Sequence, residues 1–191
     1  MLTASVAGLL LVTSVWQPSY KPTIDYWHAQ VDDLADVGGW VRDAVPRGTV
    51  IATFANGALS YSAGTGVTVV DLLGLTDEHI ARAGRRDPGG MIGHQANDPG
   101  YVMRVRRPEL IFTSGTGYAT TPECGEPDPR YAARYRAALF RVAGANRWLV
   151  VLLRRDRTDV LVRRLDQAPS HDFVRWCADA PDTNRLAVAG G

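Results

Sequence analysis

The sequence predicts one α/β domain on a mixed β-sheet, three-layered and Rossmann-like, with a parallel core and an antiparallel hairpin at one edge. Three observations predict it. Two β-branched runs, Thr49 to Phe54 and Val67 to Asp71, flank a short helical stretch, which is the order of a parallel βαβ unit. Two later runs, Ala137 to Val142 and Trp148 to Arg154, are joined across Gly144, Ala145 and Asn146, the pattern of an antiparallel hairpin. At 191 residues with 46% apolar content, the chain supports one well-buried core.

The chain opens on Met1 to Tyr20, which carries no charged side chain; the first is Lys21. Ala4 to Trp16 is apolar and gives way to Trp16, Gln17, Pro18, Ser19 and Tyr20, an aromatic and polar boundary of the kind found at membrane surfaces. The run is shorter than the roughly 20 residues that span a bilayer. It lacks the basic start and small-residue cleavage site of a signal peptide. The reading preferred is a partial transmembrane helix or anchor over 1–20, with a signal peptide and a buried soluble helix as alternatives. The organisation expected is then an extracytoplasmic α/β domain over 21–180 and a disordered tail over 181–191.

From Ile24 to Val45, the apolar Trp27, Val31, Leu34, Val41 and Val45 recur at helical spacing between acidic residues, so an amphipathic helix is expected, weakened by Gly38 and Gly39. Pro46, Arg47 and Gly48 stop it, and Thr49 to Phe54 reads as a buried strand. Asn56 is placed to cap a short helix through Ser62, and Gly64 and Gly66 turn the chain into the second strand. Gly74 to Asn97 is loop-rich, with a helical turn around Asp77 to Arg82 and a Gly and Pro cluster at Asp87 to Gly90. Pro99 to Arg106 predicts a helix with Pro in its first turn, ahead of a third strand at Leu110 to Thr113. Tyr131 to Arg136 reads as helical, and Asp159 to Leu165 as a last strand or helix.

Composition excludes some functions. A formal charge of +1, with Arg residues dispersed along the chain, leaves no electrostatic excess for a polyanion, so nucleic acid is not an expected partner. The two cysteines, Cys124 and Cys177, are too few and too far apart for a zinc knuckle or a CxxC pair. Outside the cytoplasm they would form one disulfide; otherwise they are two buried thiols. No GxSxG elbow and no GxxxxGK[ST] phosphate loop is present.

The densest set of reactive side chains lies at and after the second strand: Asp71, Asp77, His79 and, across the loop, His94. Ligands of open parallel sheets bind beyond the carboxyl ends of strands, where Asp71 is expected. Two carboxylates and two imidazoles match the donor types of a zinc or manganese site. Asp77 and His79, however, stand two apart and point to different faces of a helix, so no metal and no cofactor are assigned. Thr76 or Asp77 serves equally well as a helix cap. Tyr61, Tyr101 and Tyr118 offer flat faces for stacking on sugar rings, or pack in the core.

The text IATFANGALSYSAGTGVTVVDLLGLTDEHIA, then Gly93 and His94, then DPGYVMRVRRPELIF, resembles the C-terminal soluble region of bacterial GT-C type membrane glycosyltransferases, the arabinofuranosyltransferase-like ones included. DLLGLTDEHIA, Asp71 to Ala81, is its most specific element, and the likeness runs from Tyr26 to Arg154. Where similar sequences follow the GH with an acidic residue and Lys, this chain has Gln95 and Ala96. The resemblance implies a polytopic enzyme that uses a polyprenyl-phosphate sugar in cell-envelope glycan synthesis, with its catalytic carboxylate in an early loop outside this chain. The task implied for this domain is accessory: it holds the glycan acceptor or packs on the transmembrane glycosyltransferase domain at the membrane's outer side. A free-standing secreted metal-dependent enzyme, built on Asp71, Asp77, His79 and His94, and a non-catalytic binding module are the alternatives.

Overall fold

The computed structural model describes residues 21–90, 94–113, 117–125 and 128–178. Helix α1 (Lys21–Ala44) leads into strand β1 (Val50–Thr53), helix α2 (Ala58–Ala63) and strand β2 (Thr68–Asp71). Helix α3 (Glu78–Ala83) follows, then a small ribbon of β3 (Arg85–Arg86) and β4 (Ala96–Asn97). Helix α4 (Pro99–Tyr101) continues as a π-helical turn, Val102–Arg106, into β5 (Leu110–Phe112). The rest is helix α5 (Pro129–Ala132), strands β6 (Tyr135–Val142) and β7 (Trp148–Arg154), helix α6 (Thr158–Gln167) and strand β8 (His171–Trp176).

The six long strands form one mixed sheet in the order β2-β1-β5-β7-β6-β8. β1 lies parallel to both β2 and β5, whereas β7, β6 and β8 add on antiparallel. The hairpin of β6 and β7 is therefore interior and not an edge: β7 joins β5, and β8 closes the sheet beyond β6. The expectation failed because β8, HDFVRW, mixes charged and apolar residues without a clean run, so the strand that covers the hairpin left no signal of its own.

Alternation along the strands divides the core in two. Ile51, Leu110 and Phe112 join one apolar cluster with Trp40, Leu59, Leu161 and Leu165, the face covered by α1, α2 and α6. Ala52 and Ile111 join the other, with Ile80, Val102 and Tyr131, under α3, α4 and α5. Burial on both faces explains why the parallel strands read as continuous apolar runs.

Helix α1 runs unbroken through Gly38 and Gly39. Gly38 is required by contact: a Cβ there would stand 2.3 Å from the Leu59 carbonyl oxygen and 2.8 Å from Ser62 Cβ, so the missing side chain is what lets α2 lie on α1. The expected helix over Tyr131 to Arg136 is a shorter turn at Pro129–Ala132, because Tyr135 and Arg136 already belong to β6. Asp159 to Leu165 is helical. The partial transmembrane helix and the tail expected at 1–20 and 181–191 lie outside the described residues; among those described, no helix is long and apolar enough to cross a membrane.

Cys124 and Cys177 form a disulfide, with Cα atoms 5.6 Å apart at a sequence separation of 53. It fastens the loop before α5 to the end of β8. Closing a loop of this length stabilises the fold by about 4 kcal/mol in the chain-entropy treatment. Cys124→Ser with Cys177→Ser is expected to lower the free energy of unfolding by that order, read from denaturant midpoints against wild type. Gly38→Ala, by overpacking α1 on α2, is expected to cost about 1–3 kcal/mol in the same measurement.

Candidate functional site

Asp71 ends β2 fully buried and organises the loop that follows. Its Oδ1 accepts from the Leu73 N–H at 2.9 Å and its Oδ2 from the Thr76 N–H at 2.7 Å. The Thr76 hydroxyl in turn accepts from Asn56 Nδ2 at 2.9 Å, and Asn56 Oδ1 accepts from the Ser60 hydroxyl, so the loops after β1 and β2 are tied together. Gly74, at φ 75°, packs where a Cβ would meet Ala81 N at 2.7 Å, which brings the start of α3 down onto this loop. Both carboxylate oxygens of Asp71 are thus committed to backbone.

Asp77 caps α3: Oδ1 accepts from the Ile80 N–H at 3.1 Å. Its Oδ2 faces the Tyr101 hydroxyl at 3.5 Å and Arg106 Nε at 3.7 Å. Arg106 reaches this position because the π-helical turn after Tyr101 adds a residue to the winding; it closes where the Arg107 N–H donates to the Val102 carbonyl at 2.8 Å and Arg107 turns left-handed at φ 48°. Such turns are frequent at functional sites.

Within the first turn of α3, the His79 ring stacks on Tyr101 with centroids 3.9 Å apart and planes 21° from parallel. His79 Nε2 lies 3.0 Å from Asp98 Oδ2, and Asp98 Oδ1 accepts from the Tyr101 N–H at 2.8 Å. That backbone N–H, followed by the bond to His79, holds the Asp98 carboxyl below its ordinary range. The local pattern is Asp then Pro at a helix start, so Asp98 is both a cap and the orienting partner of the ring stack.

Thr76, Asp77, Glu78, His79, Arg82, Tyr101 and Arg106 together line an open cleft of about 500 Å³ at the carboxyl end of β2. Arg82 pairs with Glu78 at 2.9 Å and Arg106 faces Asp77, so two guanidiniums balance two carboxylates. The floor is a neutral array of fixed donors and acceptors around two stacked rings.

Of the residues singled out in the sequence, the fold gathers Asp77, His79 and Tyr101, sets Asp71 beneath them, and leaves His94 exposed and away from the cleft. Tyr61 is exposed on α2, and Tyr118 belongs to another cluster. Asp98 and Arg106 were missed; Asn56, expected to cap α2, does not, since Gly57 holds the cap position without a side-chain bond and Asn56 Oδ1 accepts from the Gly57 N–H and the Ser60 hydroxyl. Among the described residues, no group of three or more His, Cys, Asp and Glu is placed to hold a metal ion.

A family model described as Domain of unknown function (DUF8728) matches residues 22–169. The chain belongs to the DUF8728 family. No curated protein and no solved structure matches it. The match takes in every residue of the cleft and ends just before β8.

At the start of β8 the chain carries a second polar cluster. The Tyr118 hydroxyl lies 2.8 Å from Asp36 Oδ2 on α1 and 2.6 Å from His171 Nε2, and His171 Nδ1 lies 2.9 Å from the Ser170 hydroxyl. Arg147 lies over the Tyr118 ring at 4.4 Å and pairs with Asp33, which also accepts from the Tyr118 N–H at 3.2 Å. With His171 neutral, the donors run one way: the Ser170 hydroxyl to Nδ1, Nε2–H to the Tyr118 oxygen, and the Tyr118 hydroxyl to Asp36. Burial pushes the His171 imidazole down to about 4, with Arg147 adding to the effect and Asp36 opposing it. Burial also raises the Tyr118 phenol, with Asp36 next in effect.

The unfolded chain, with His171 near its ordinary value of about 6.5, takes up a proton before the folded protein does. The stabilisation linked to His171 is therefore complete above about pH 6.5 and is lost as the pH falls towards 4, by an amount on the order of 3 kcal/mol. Denaturant midpoints measured across that window are expected to fall steadily in wild type and more shallowly in His171→Phe.

Proposed function

We propose that this DUF8728 chain is the extracytoplasmic accessory domain of a membrane glycosyltransferase in cell-envelope glycan synthesis, and that it holds the glycan acceptor in the cleft between α3 and α4. The observation that carries this reading is the His79 and Tyr101 ring stack set in a charge-balanced cleft. A sugar has apolar ring faces and a rim of hydroxyls that both donate and accept. Stacked rings suit the faces, and alternating carboxylates and guanidiniums suit the rim. An anionic ligand would want an excess of cations, and the two here are each set against a carboxylate.

The Cys124–Cys177 disulfide supports an extracytoplasmic site, because such bonds persist in oxidising compartments. The uncharged opening segment supports an attachment to the membrane. The three-layer, Rossmann-like reading of the sheet is consistent with a ligand beyond the strand ends. The glycosyl donor is handled by a partner in this account, and the domain needs no metal or cofactor for its own task.

Retention on immobilised arabinan and mannan tests the proposal. Wild type is expected to be retained by at least one of them, and Tyr101→Ala to elute at least tenfold earlier in dissociation constant while keeping its thermal midpoint within a few degrees. Equal retention of the two proteins, or none by wild type, would remove the acceptor-binding reading.

A further inference from the structure

Along α1 an apolar seam runs at alternating spacings of three and four residues: Ile24, Trp27, Val31, Leu34, Gly38, Val41 and Val45. This is the repeat that one helix presents to another. Its second half is already occupied. Gly38, Val41 and Val45 are buried, α2 lies in contact at Gly38, and α6 supplies Leu161 and Leu165 to the same cluster. Its first half extends past the edge of the domain, where Ile24 is 48% exposed, Trp27 59% and Val31 52%. Tyr26, packed edge-on to Trp27 at 5.3 Å, is exposed beside them.

We infer that Ile24, Trp27 and Val31 are the docking strip for an apolar α-helix of the membrane-embedded polypeptide this domain serves, an inference that rests on the function proposed above. Three observations favour a helix held in the same membrane. The strip continues a seam that helices already cover. The twenty residues before Lys21 carry no charged side chain, so the chain enters the strip from an apolar segment. The strip is also small: three half-covered side chains offer well under the roughly 800 Å² that each side of a stable free-standing interface buries, so a second copy diffusing in solution would not be held. A partner confined nearby needs far less area, because confinement raises its effective concentration. From Ile24 to Leu34 the strip is about 15 Å long, room for nearly three turns of a neighbour.

The test places a photo-crosslinking phenylalanine analogue at Trp27, and as a control at Asp25 on the opposite side of α1, in the full chain within its native membranes. The expected result is crosslinking at Trp27 at least tenfold above Asp25, with the adduct mapping by mass spectrometry to an apolar helix of a membrane-spanning protein. A Trp27 adduct to lipid, to a second copy of this chain, or no preference over Asp25 overturns the inference. The two proposals fail separately. Loss of the crosslink with glycan retention intact removes the strip alone, and a crosslinked partner in a chain that retains no glycan removes the acceptor reading alone.

Discussion

The fold depends on one buried indole. Trp40 lies on the inner face of α1, 2% exposed, and its Nε1–H donates to the Leu165 carbonyl at 3.0 Å. That carbonyl belongs to the last turn of α6, where no intrahelical donor is available, so one bond satisfies a buried donor and an orphan acceptor together. The same ring meets Phe140 of β6 edge-on at 5.0 Å and stacks on His171 of β8 at 4.2 Å. Three elements distant in sequence from α1 are thereby set against one of its side chains. With α1 fixed in this way, Asp33 and Asp36 point at the loop around Tyr118, the loop pairs with β7 through Ala119 and Trp148, and the disulfide holds its far end.

Parts of this were legible because the physics is local. Val50–Thr53 and Thr68–Asp71 are rich in β-branched residues and are buried at their carboxyl ends, and such runs declare a strand whatever lies around them. The helix start at Asp77 follows from capping and the one at Pro99 from a proline suited to a helix's first turn, signals that depend on three or four consecutive residues. Strand β8 and the true edge of the sheet were not legible. Phe173 and Trp176 gain their meaning only from Phe140 and the Arg136 guanidinium across the sheet, and no window of sequence contains both partners. Gly38 misled for the same reason: its local effect is to weaken a helix, and the contact with Leu59 that requires it is tertiary.

The cleft divides along the same line. Asp77 and His79 were found from position, after a parallel strand, where loops gather over strand ends, and Tyr101 as one of three tyrosines with a face suited to a sugar ring. Arg106 was out of reach, because a regular α-helix from Pro99 would aim it elsewhere and only the π-helical turn returns it to Asp77. His94 was overvalued because nearness in sequence to the loop was read as nearness in space. The cluster of Asp36, Tyr118 and His171 spans separations of 82 and 53 residues, and only the folded chain brings it together.

The carboxylates in and beneath the cleft are each held by fixed donors. Asp71 has both oxygens on backbone N–H groups, Asp77 has one on Ile80 and the other between Tyr101 and Arg106, and Asp98 is shared between the Tyr101 N–H and His79. Each is held in place by the donors around it, so the carboxylates are fixed acceptors. In the function proposed above, this fixed array with its stacked rings selects a sugar by its faces and its hydroxyl pattern. In the proposed function such a domain acts through the membrane polypeptide it serves, and the exposed half of the α1 seam, which follows an uncharged stretch of sequence, is the surface proposed to reach it.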